Sequence, residues 1–268
     1  MKFDDLDTKM RQFETAHDYC VLPGIYMVAR LDGRGFTRLT KETHQFEAPY
    51  DVRFRDLMIG TIEHLMGASF RIVYGYTQSD EISLLFHLKA DMFERKLRKL
   101  NSILAAEASA FFSLKLGSIG AFDCRISELT SHELVRDYFR WRQEDATRNA
   151  LNAHCYWSLR KEGVSFRDAT NQLLGLSSSD KNEFLFKRGV NFNRIPTWQK
   201  RGSGVIWESY EKTGFNPKSG KTVTTARRRC QPILELPMKG AYDEFIRQRI
   251  AEADSTTESS SKAANTSP

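Results

Sequence analysis

Ile25-Tyr26-Met27-Val28-Ala29-Arg30-Leu31-Asp32-Gly33-Arg34-Gly35-Phe36 is the stretch that decides the fold of this chain. Its first seven residues form an apolar run that is short for a helix and rich in β-forming residues. This pattern predicts a buried strand that ends at Asp32. The two glycines that follow let backbone amides approach a phosphate closely. A second acidic segment, Gln78-Ser79-Asp80-Glu81, follows further along the chain.

The segments downstream of this strand alternate between helical and strand patterns. Their order of strand, helix, strand, strand, helix, strand predicts an α+β, ferredoxin-like domain with an antiparallel sheet and helices on one face. In that topology the third strand lies between the first and second. The expected elements are a helix from Asp51 to Gly67, a strand at Phe70–Tyr76, a turn at Thr77–Asp80, a strand at Ile82–Leu88, a helix from an Asp91/Glu94 capping box to Gly117, and a strand at Ala121–Ile126.

The remainder of the chain predicts an α-helical extension and a basic β-hairpin arm. We expect a long helical stretch from a capping box at Thr130–Glu133 to about Lys161, and shorter helices near 166–174 and 180–188. Strands at Val205–Tyr210 and Thr222–Arg229 flank a turn-rich segment. The domains are therefore a catalytic domain at 1–130, an extension at 131–250 and a disordered tail at 251–268, where large apolar residues are scarce.

Composition narrows the class of partner. The 268 residues are 40% hydrophobic, enough for a sizeable core, and 40 Lys and Arg against 34 Asp and Glu give a net charge of +6. This basic surplus favours a polyanion, with nucleic acid first. No apolar span predicts a membrane segment, and the acidic N-terminus does not resemble a signal peptide, so a cytoplasmic protein is expected. Four scattered cysteines favour neither a disulfide framework nor a zinc site.

The two acidic segments predict a metal site. The expected topology places the end of the first strand beside the start of the third, so Asp32 and Asp80 can converge. Magnesium prefers hard oxygen ligands and completes its shell with phosphates and water. Asp32, the Gly33 carbonyl and Asp80 suit two magnesium ions for phosphoryl transfer, and Glu81 can tune the site. Each segment alone is also typical of an ordinary turn, but their joint placement favours the site.

Other candidate residues have a structural alternative beside the functional one. His44 can contact phosphate or serve as a hydrogen-bonding loop residue. The basic segments can bind phosphate or form solvated faces, and the aromatic residues of Tyr138–Arg142 can stack on RNA or belong to the core. The candidates for phosphate or nucleic-acid contact are His44, Lys181, Asn182, Lys200, Arg201, Arg227, Arg228 and Arg229.

Four motifs together make the chain resemble the tRNA(His) guanylyltransferase family of 3′-to-5′ nucleotide-adding enzymes. They are the two acidic segments, Asp137-Tyr138-Phe139-Arg140-Trp141-Arg142-Gln143 and Asp180-Lys181-Asn182-Glu183-Phe184-Leu185-Phe186. The likeness extends over about residues 3–240 and implies a palm-like catalytic domain. By position, Asp32, Gly33 and Asp80 match the metal ligands, and Glu81 matches a second catalytic acid. The implied nucleotide-binding residues are Asp32, Gly33, Arg34, Gly35, Phe36, Thr37, Ser79 and Asp80.

The resemblance also implies a reaction and partners. A tRNA 5′-monophosphate is first activated by a nucleoside triphosphate, commonly ATP. The 3′-hydroxyl of GTP or another nucleoside triphosphate then attacks, so nucleotides are added at the 5′ end. The acceptor stem of the tRNA is expected to dock on the basic extension and arm. The family is typically a homotetramer.

Two departures from the family pattern shape the functional prediction. Thr147-Arg148-Asn149-Ala150-Leu151-Asn152-Ala153 stands where the eukaryotic enzymes have His-Ile-Asn-Asn-Leu-Tyr-Asn, which resembles the guanylyltransferase-like branch. Ala48 replaces a family lysine, which leaves Lys181 and Arg201 as candidates to bind the activating triphosphate. The leading prediction is a magnesium-dependent nucleotidyltransferase that repairs 5′-truncated tRNA on a template. The alternative is addition of G at position −1 of tRNA(His).

Two other functional classes remain open at this level. A palm-type nucleotidyl cyclase uses similar acids, but the long basic region after residue 127 favours an RNA substrate. A non-catalytic RNA-binding module of ferredoxin-like shape is disfavoured, because residues 81–88 lack the exposed aromatic pattern that stacks bases.

Overall fold

The computed structural model describes residues 2–216 and 220–264. The strands are β1 (Tyr26–Gly33), β2 (Ile72–Gln78), β3 (Glu81–Phe86), β4 (Phe122–Leu129), β5 (Ser203–Asn216) and β6 (Lys221–Ile233). The helices are α1 (Phe3–Thr15), α2 (Phe36–Arg38), α3 (Val52–Gly67), α4 (Leu97–Leu116), α5 (His132–Lys161), α6 (Phe166–Leu173), α7 (Ser178–Phe186), α8 (Thr197–Arg201) and α9 (Gly240–Ala264). A π-helical turn at Leu39–Thr43 and 3₁₀ turns at Met92–Arg95 and Phe192–Arg194 complete the elements.

The strands form one antiparallel sheet in the order β4-β1-β3-β2-β5-β6. The βαββαβ prediction is confirmed, since β3 lies between β1 and β2 and is antiparallel to both. Gly117 ends α4 as expected, with a left-handed φ of 76° that glycine adopts without strain.

The two helices of the βαββαβ unit lie on one face of the sheet, as predicted, and later helices of the chain cover the other face. α3 and α4 cover the first face, where the core includes Ile82 and Leu84 of β3. α5 and α9 cover the second face, where the hydroxyls of Tyr138 and Ser83 form a hydrogen bond at 3.1 Å. Residues 82–86 of β3 are buried on both faces, although Ser83 is polar, and the sequence of this strand could not show which layer covers the second face.

The β-hairpin is part of the sheet and also extends beyond it. β5 pairs with β2 from Thr77↔Ser203 to Tyr74↔Ile206, and the rest of β5 pairs with β6 alone. The predicted arm is therefore the outer part of two strands that begin earlier than expected. Of the predicted turn between them, residues 217–219 lie outside the described part of the chain.

Two predicted helix starts differ from the structure. The Asp91 capping box does not form, and α4 begins at Leu97 after a 3₁₀ turn in which Phe93 and Glu94 have positive φ. The buried Arg95 guanidinium fixes this turn by donating to the carbonyls of Val21, Ile25 and Ala90. α5 is capped by Ser131, one residue after the predicted cap.

The C-terminal region is helical over residues that we expected to be disordered. α9 places Tyr242, Ile246 and Ile250 against the second face of the sheet and continues to Ala264. The packed first half supports the helix beyond Ala251, although the composition there is rich in Ser and Thr. Residues 265–268 lie outside the described part, and the division into three domains stays a prediction. Among the described residues, no helix is long and apolar enough to span a bilayer.

Candidate active site

The two acidic segments meet where two neighbouring inner strands of the sheet, β1 and β3, end and begin. In the β1–β3 register Asp32 lies opposite Glu81, and the Gly33 amide donates to the Asp80 carbonyl at 3.0 Å. The main chains that carry Asp32 and Asp80 are therefore joined directly, although the two residues are distant in sequence. The predicted convergence is confirmed at the level of the backbone.

The loop after Asp32 is held in place by an aromatic cluster. A Cβ atom on Gly33 would lie 2.6 Å from the Phe36 ring, so only glycine fits there. Phe36 is 2% exposed and packs against Phe112 and Phe122. Gly35 has a φ of 72°, which glycine adopts readily. Phe36 is the core anchor that fixes the glycine loop, and its predicted contact with nucleotide stays a prediction.

The β2–β3 turn presents Asp80 as a half-buried carboxylate. Ser79 has a φ of 53°, a left-handed conformation that costs energy for a residue with a side chain and that is common at functional sites. Burial raises the pKa of the Asp80 carboxyl. Its own amide and the Ser79 hydroxyl lower this pKa, whereas the charge of Asp32 raises it.

These two acids suit a magnesium ion. A cation beside them would offset the burial of Asp80 and the repulsion from Asp32. Within residues 2–216 and 220–264 no cluster of three His, Cys, Asp or Glu side chains could hold a metal by itself. The two carboxylates and the nearby Gly33 carbonyl would thus depend on phosphate and water to complete the shell, as magnesium sites commonly do.

Glu81 is paired with the helical extension. Its two carboxylate oxygens accept from Arg142 of α5 at 2.7 and 2.8 Å, and these side chains are 15% and 11% exposed. Arg142 also bonds Asp145 at 3.2 Å. The structure thus places Glu81 as a positioning residue that fixes α5 against β3, and its predicted catalytic role stays a prediction.

Asp123 is an acid near the site that the sequence analysis missed. It lies opposite Asp32 in the β1–β4 register, so both side chains are on the same face of the sheet. Its side chain is 63% exposed and lies 3.7 Å from Arg125. The signal in the sequence was weak, because a single Asp in a strand has no distinguishing neighbours.

A cavity of about 540 Å³ adjoins the β2–β3 turn. Thr37, Ser79 and Asp80 line it, whereas Asp32 and the residues 33–35 do not. Eight of the 23 residues that line it are aromatic, and they come from α2, α3, α5, α6, α8 and the segment before α3. These aromatic residues are Phe36, Phe46, Tyr50, Phe54, Tyr156, Trp157, Phe166 and Trp198.

Three cations also line this cavity, and the sequence analysis named none of them. The Lys41 ammonium donates to the carbonyls of Glu47 and Pro49 at 2.9 and 3.3 Å and lies 5.7 Å from the Trp157 ring centroid. Arg55 and Arg160 are the other two. These residues are separated in the sequence, and contacts of α5 with the chain before α3, such as Trp157 with Lys41 and His154 with Tyr50, help to bring them together.

Several predicted phosphate contacts have structural partners instead. Lys200 is buried and donates to the Asn193 carbonyl at 2.8 Å, which disfavours the predicted phosphate contact. Arg201 donates to the Leu236 carbonyl at 3.1 Å. The His44 ring bonds the Ser118 hydroxyl at 2.6 Å, which favours the structural interpretation. Lys181 is on α7, outside the cavity wall, together with the exposed Asn182.

The basic triplet of the arm is on the surface. Arg227, Arg228 and Arg229 are exposed on β6, opposite residues 208–210 of β5. Arg229 bonds Glu208 at 2.6 Å, and the Arg228 guanidinium lies 4.7 Å from the Trp207 ring centroid. Their predicted role as tRNA contacts stays a prediction, and their location permits it.

The fold and site define a class of enzyme. A ferredoxin-like antiparallel sheet that joins two aspartates beside an aromatic and cationic cavity is the arrangement of a palm-type nucleotidyltransferase. With helices on both faces of β3, no open sheet face is left on this strand for stacking single-stranded RNA.

Comparison with known proteins identifies the family. Residues 7–130 match the family described as tRNAHis guanylyltransferase, and residues 133–264 match the Thg1 C terminal domain. The tRNA(His) guanylyltransferase of Debaryomyces hansenii is 35% identical over 250 residues, which cover 88% of this chain and 90% of that protein. The chain belongs to the tRNAHis guanylyltransferase family and is a nucleotidyltransferase.

Solved structures agree with this assignment. A bacterial tRNA(His) guanylyltransferase (Thg1)-like protein in complex with GTP has a TM-score of 0.72 at 25% identity, covering 92% of this chain and 99% of that one. The same kind of protein in complex with ATP has a TM-score of 0.71 at 25% identity, covering 91% and 99%.

Proposed function

We propose that this protein adds G at position −1 of tRNA(His), at the 5′ end. The observation that carries the proposal is the backbone bond from Gly33 to Asp80, which joins the two acidic segments beside the cavity. The names of the relatives support guanylyl addition more directly than the templated repair that the sequence favoured. The tRNA substrate, a cytoplasmic location and a homotetrameric assembly belong to the same proposal.

In this proposal Asp32, Asp80 and the Gly33 carbonyl hold two magnesium ions. When bound, magnesium lowers the charge on the attacking oxygen and on the departing phosphate group. The buried Phe36 ring keeps the glycine loop in place, so that the amides of residues 35–37 are left to face the nucleotide phosphates, whereas those of Gly33 and Arg34 donate to the carbonyls of Asp80 and Ala121. The Glu81–Arg142 pair fixes the distance between the palm and the extension that carries part of the cavity wall.

The proposed reaction has two steps. An oxygen of the tRNA 5′-monophosphate attacks the α-phosphorus of ATP and releases pyrophosphate, which leaves an adenylylated 5′ end. The 3′-hydroxyl of GTP then attacks the 5′-phosphorus of the tRNA and releases AMP. The tRNA then carries a new nucleotide with a 5′-triphosphate. Solved relatives with GTP and with ATP support both nucleotides as substrates.

We assign the activating triphosphate to the cavity of about 540 Å³. Its aromatic wall suits a nucleobase, and Lys41 and Arg160 suit the phosphates. The Lys41 ammonium bonds the carbonyls of Glu47 and Pro49, the two neighbours of Ala48, where the family resemblance led us to expect a lysine. Lys41 is therefore a better candidate than Lys181 or Arg201, neither of which lines the cavity.

Templated repair of 5′-truncated tRNA is the second candidate, and one feature favours it. Part of the segment Thr147–Ala153 of α5, which departs from the eukaryotic pattern, is used in packing, while Arg148, Asn149 and Asn152 are exposed. Ala150 and Leu151 are buried in the core of the extension, and Asn149 bonds Asp145 at 3.2 Å. A segment used in packing is less available for recognising one particular tRNA.

A nucleotide-addition assay separates the two functions. The protein is incubated with magnesium, ATP and all four nucleoside triphosphates, and the substrates are 5′-monophosphorylated tRNA(His) and tRNAs that lack their first nucleotide. Each substrate is prepared with every base at the facing position of the acceptor stem. Guanylyl addition predicts G on tRNA(His) whichever base faces it. Addition of only the complementary base on truncated tRNAs would replace our assignment with repair, and no addition to any tRNA would contradict both.

A further inference from the structure

A second cavity, of about 900 Å³, lies at the end of the sheet opposite to Asp32 and Asp80. Its wall is formed by the first residues of β2 and by parts of β5, β6, α9 and the segment between α3 and β2. Ile72 at the start of β2 lines this cavity, whereas Gln78 at the end of the same strand precedes the acidic turn. The rise along a strand separates the two places by about 20 Å, so this cavity is distinct from the candidate active site.

Three arginines from separate elements line this second cavity, namely Arg71 before β2, Arg228 on β6 and Arg249 on α9. Within the part of the chain that the structure describes, Arg71 and Arg228 form no ion pair with a carboxylate. Their guanidinium groups make neutral contacts instead. Arg71 donates to the Lys89 carbonyl at 2.8 Å, and Arg228 lies 4.7 Å from the Trp207 ring centroid. Both arginines therefore keep an unpaired positive charge beside the cavity.

The third arginine, Arg249, has an incomplete set of hydrogen bonds. Its side chain is 15% exposed, and one terminal nitrogen donates to Glu252 at 2.7 Å. The Nε atom is buried and has no hydrogen-bond partner among the residues that the structure describes. A buried donor without an acceptor costs free energy, and an acceptor that enters the cavity would remove this cost.

Two glutamates of the cavity wall do not cancel the charge of the arginines. Glu252 is engaged by Arg249, and Glu208 binds Arg229, which is outside the wall, at 2.6 Å. A cavity with two unpaired guanidinium groups and a third that lacks an acceptor favours an anion with several oxygen atoms. Phosphate oxygens suit these groups, because a guanidinium can donate two parallel hydrogen bonds to one phosphate.

We propose that this second cavity binds a compact free polyphosphate, such as pyrophosphate or the phosphate chain of a nucleotide. Its volume lies within the range of small-molecule sites. Arg228 is exposed and can also reach the backbone of a nucleic acid, but the buried Nε of Arg249 needs a ligand that enters the cavity. A small anion meets this need better than a phosphate on the outside of an RNA duplex. Its binding would connect α9 to the segment before β2.

Titration of the full chain with pyrophosphate tests the site. Heat of binding is measured in EDTA, because without magnesium the carboxylates of Asp32 and Asp80 repel a polyphosphate. Arg71→Gln and Arg249→Gln should each weaken binding by about 10- to 100-fold, the loss expected for a hydrogen bond between charged groups. Arg247→Gln is the matched control, because Arg247 is an exposed residue of α9 outside the cavity wall, and it should bind as the wild type does.

Three results would overturn the proposal. The first is wild-type protein that does not bind pyrophosphate. The second is binding that Lys41→Gln weakens and Arg71→Gln does not, which would place the anion in the active-site cavity. The third is displacement of pyrophosphate by a tRNA(His) transcript, which would assign the arginines to nucleic acid, whereas we expect an unchanged affinity. Thermal unfolding is the folding control for Arg249→Gln, and the exposed Arg71 supplies a variant outside the core.

Discussion

At the scale of single residues, the site depends on where two carboxylates are placed more than on how many acids surround them. Asp32 has Glu81 opposite it on β3 and Asp123 opposite it on β4. Glu81 is engaged by Arg142, and Asp123 is largely exposed, so neither has the setting of Asp80. Asp80 lies in a turn and is partly buried, and the nearby charge of Asp32 raises the pKa of its carboxyl.

Asp80→Asn should abolish nucleotide addition and preserve the fold. Loss of a metal-binding carboxylate removes several kcal/mol of transition-state stabilisation, which corresponds to a rate decrease on the order of 10³. Rates of G addition and thermal unfolding are measured side by side. Asp123→Asn is the matched control and should change the rate less than about tenfold. Equal losses in the two variants would show that Asp80 has no special role.

Lys41→Gln should slow activation of the tRNA and spare the second step. Loss of a charged hydrogen-bond donor to phosphate costs about 1.5–3 kcal/mol, which is about 10- to 100-fold in rate. The variant is compared on 5′-monophosphorylated tRNA and on 5′-triphosphorylated tRNA, which already carries a leaving group. Only the first substrate should be affected, and Lys181→Gln should resemble the wild type. Equal slowing on both substrates would assign Lys41 to a different role.

At the scale of elements, the sequence predicted the palm because each strand had its own local signal. The runs at 25–31 and 82–88 and the acids at their ends fixed the order of strands and the convergence of Asp32 with Asp80. The cavity could not be predicted in the same way. Lys41 and Trp157 are far apart in sequence and meet only because α5 packs across the sheet.

Local signals also failed where a tertiary contact overrides them. The Asp91/Glu94 pattern is typical of a capping box, but the backbone there forms a 3₁₀ turn instead. This turn places the Arg95 guanidinium where it donates to the carbonyls of Val21, Ile25 and Ala90. Lys200 belongs to a basic segment typical of a surface, but its side chain turns inward to Asn193. In both cases the partner lies on another element, so the residue pattern alone does not contain the information.

The start of α3 is stabilised by Asp51, and this contribution should depend on pH. Asp51 is 8% exposed, accepts from the amides of Arg53 and Glu47 at 2.7 and 2.8 Å, and binds the Arg53 guanidinium at 2.6 Å. The Arg53 guanidinium, followed by these amides, holds the pKa of the Asp51 carboxyl well below its ordinary value of 3.8. Because the pKa of this carboxyl is lower in the folded than in the unfolded state, its ionised form stabilises the fold at pH values above 3.8. This stabilisation is lost as the pH falls from 3.8 toward the lowered pKa.

Asp51→Asn should therefore lower the free energy of unfolding by about 1–2 kcal/mol at pH 7. The difference between wild type and variant should shrink as the pH falls below about 4, because the Asp51 carboxyl of the unfolded wild-type chain then takes up a proton while the folded one stays ionised. Urea unfolding at pH 7 and at pH 3 measures both quantities. Asp56→Asn, on the exposed side of α3, is the control. A difference that grows at low pH would contradict the assigned cause.

At the scale of the whole molecule, the sheet connects the chemistry at one strand end to a basic arm at its edge. The order β4-β1-β3-β2-β5-β6 places the joined acids near the centre and the exposed arginine triplet on the last strand. A tRNA whose 5′ end reaches Asp80 would extend far beyond the cavity. The arm carries a positively charged surface that is suited to bind the phosphates of the tRNA acceptor stem.

Replacing Arg227, Arg228 and Arg229 by glutamine should weaken tRNA binding and reduce its dependence on salt. Each arginine that binds a phosphate releases counterions, so the slope of log affinity against log salt concentration should fall by about one for each phosphate that is no longer neutralised. Binding is measured by titration at several salt concentrations, and the rate of addition is measured at saturating tRNA. Lys89, Lys99 and Lys115 are exposed residues whose joint replacement by glutamine removes the same charge elsewhere. If the two triple variants changed the slope equally, the arm would contribute only net charge. A wild-type slope in the arm variant would exclude it from the tRNA site.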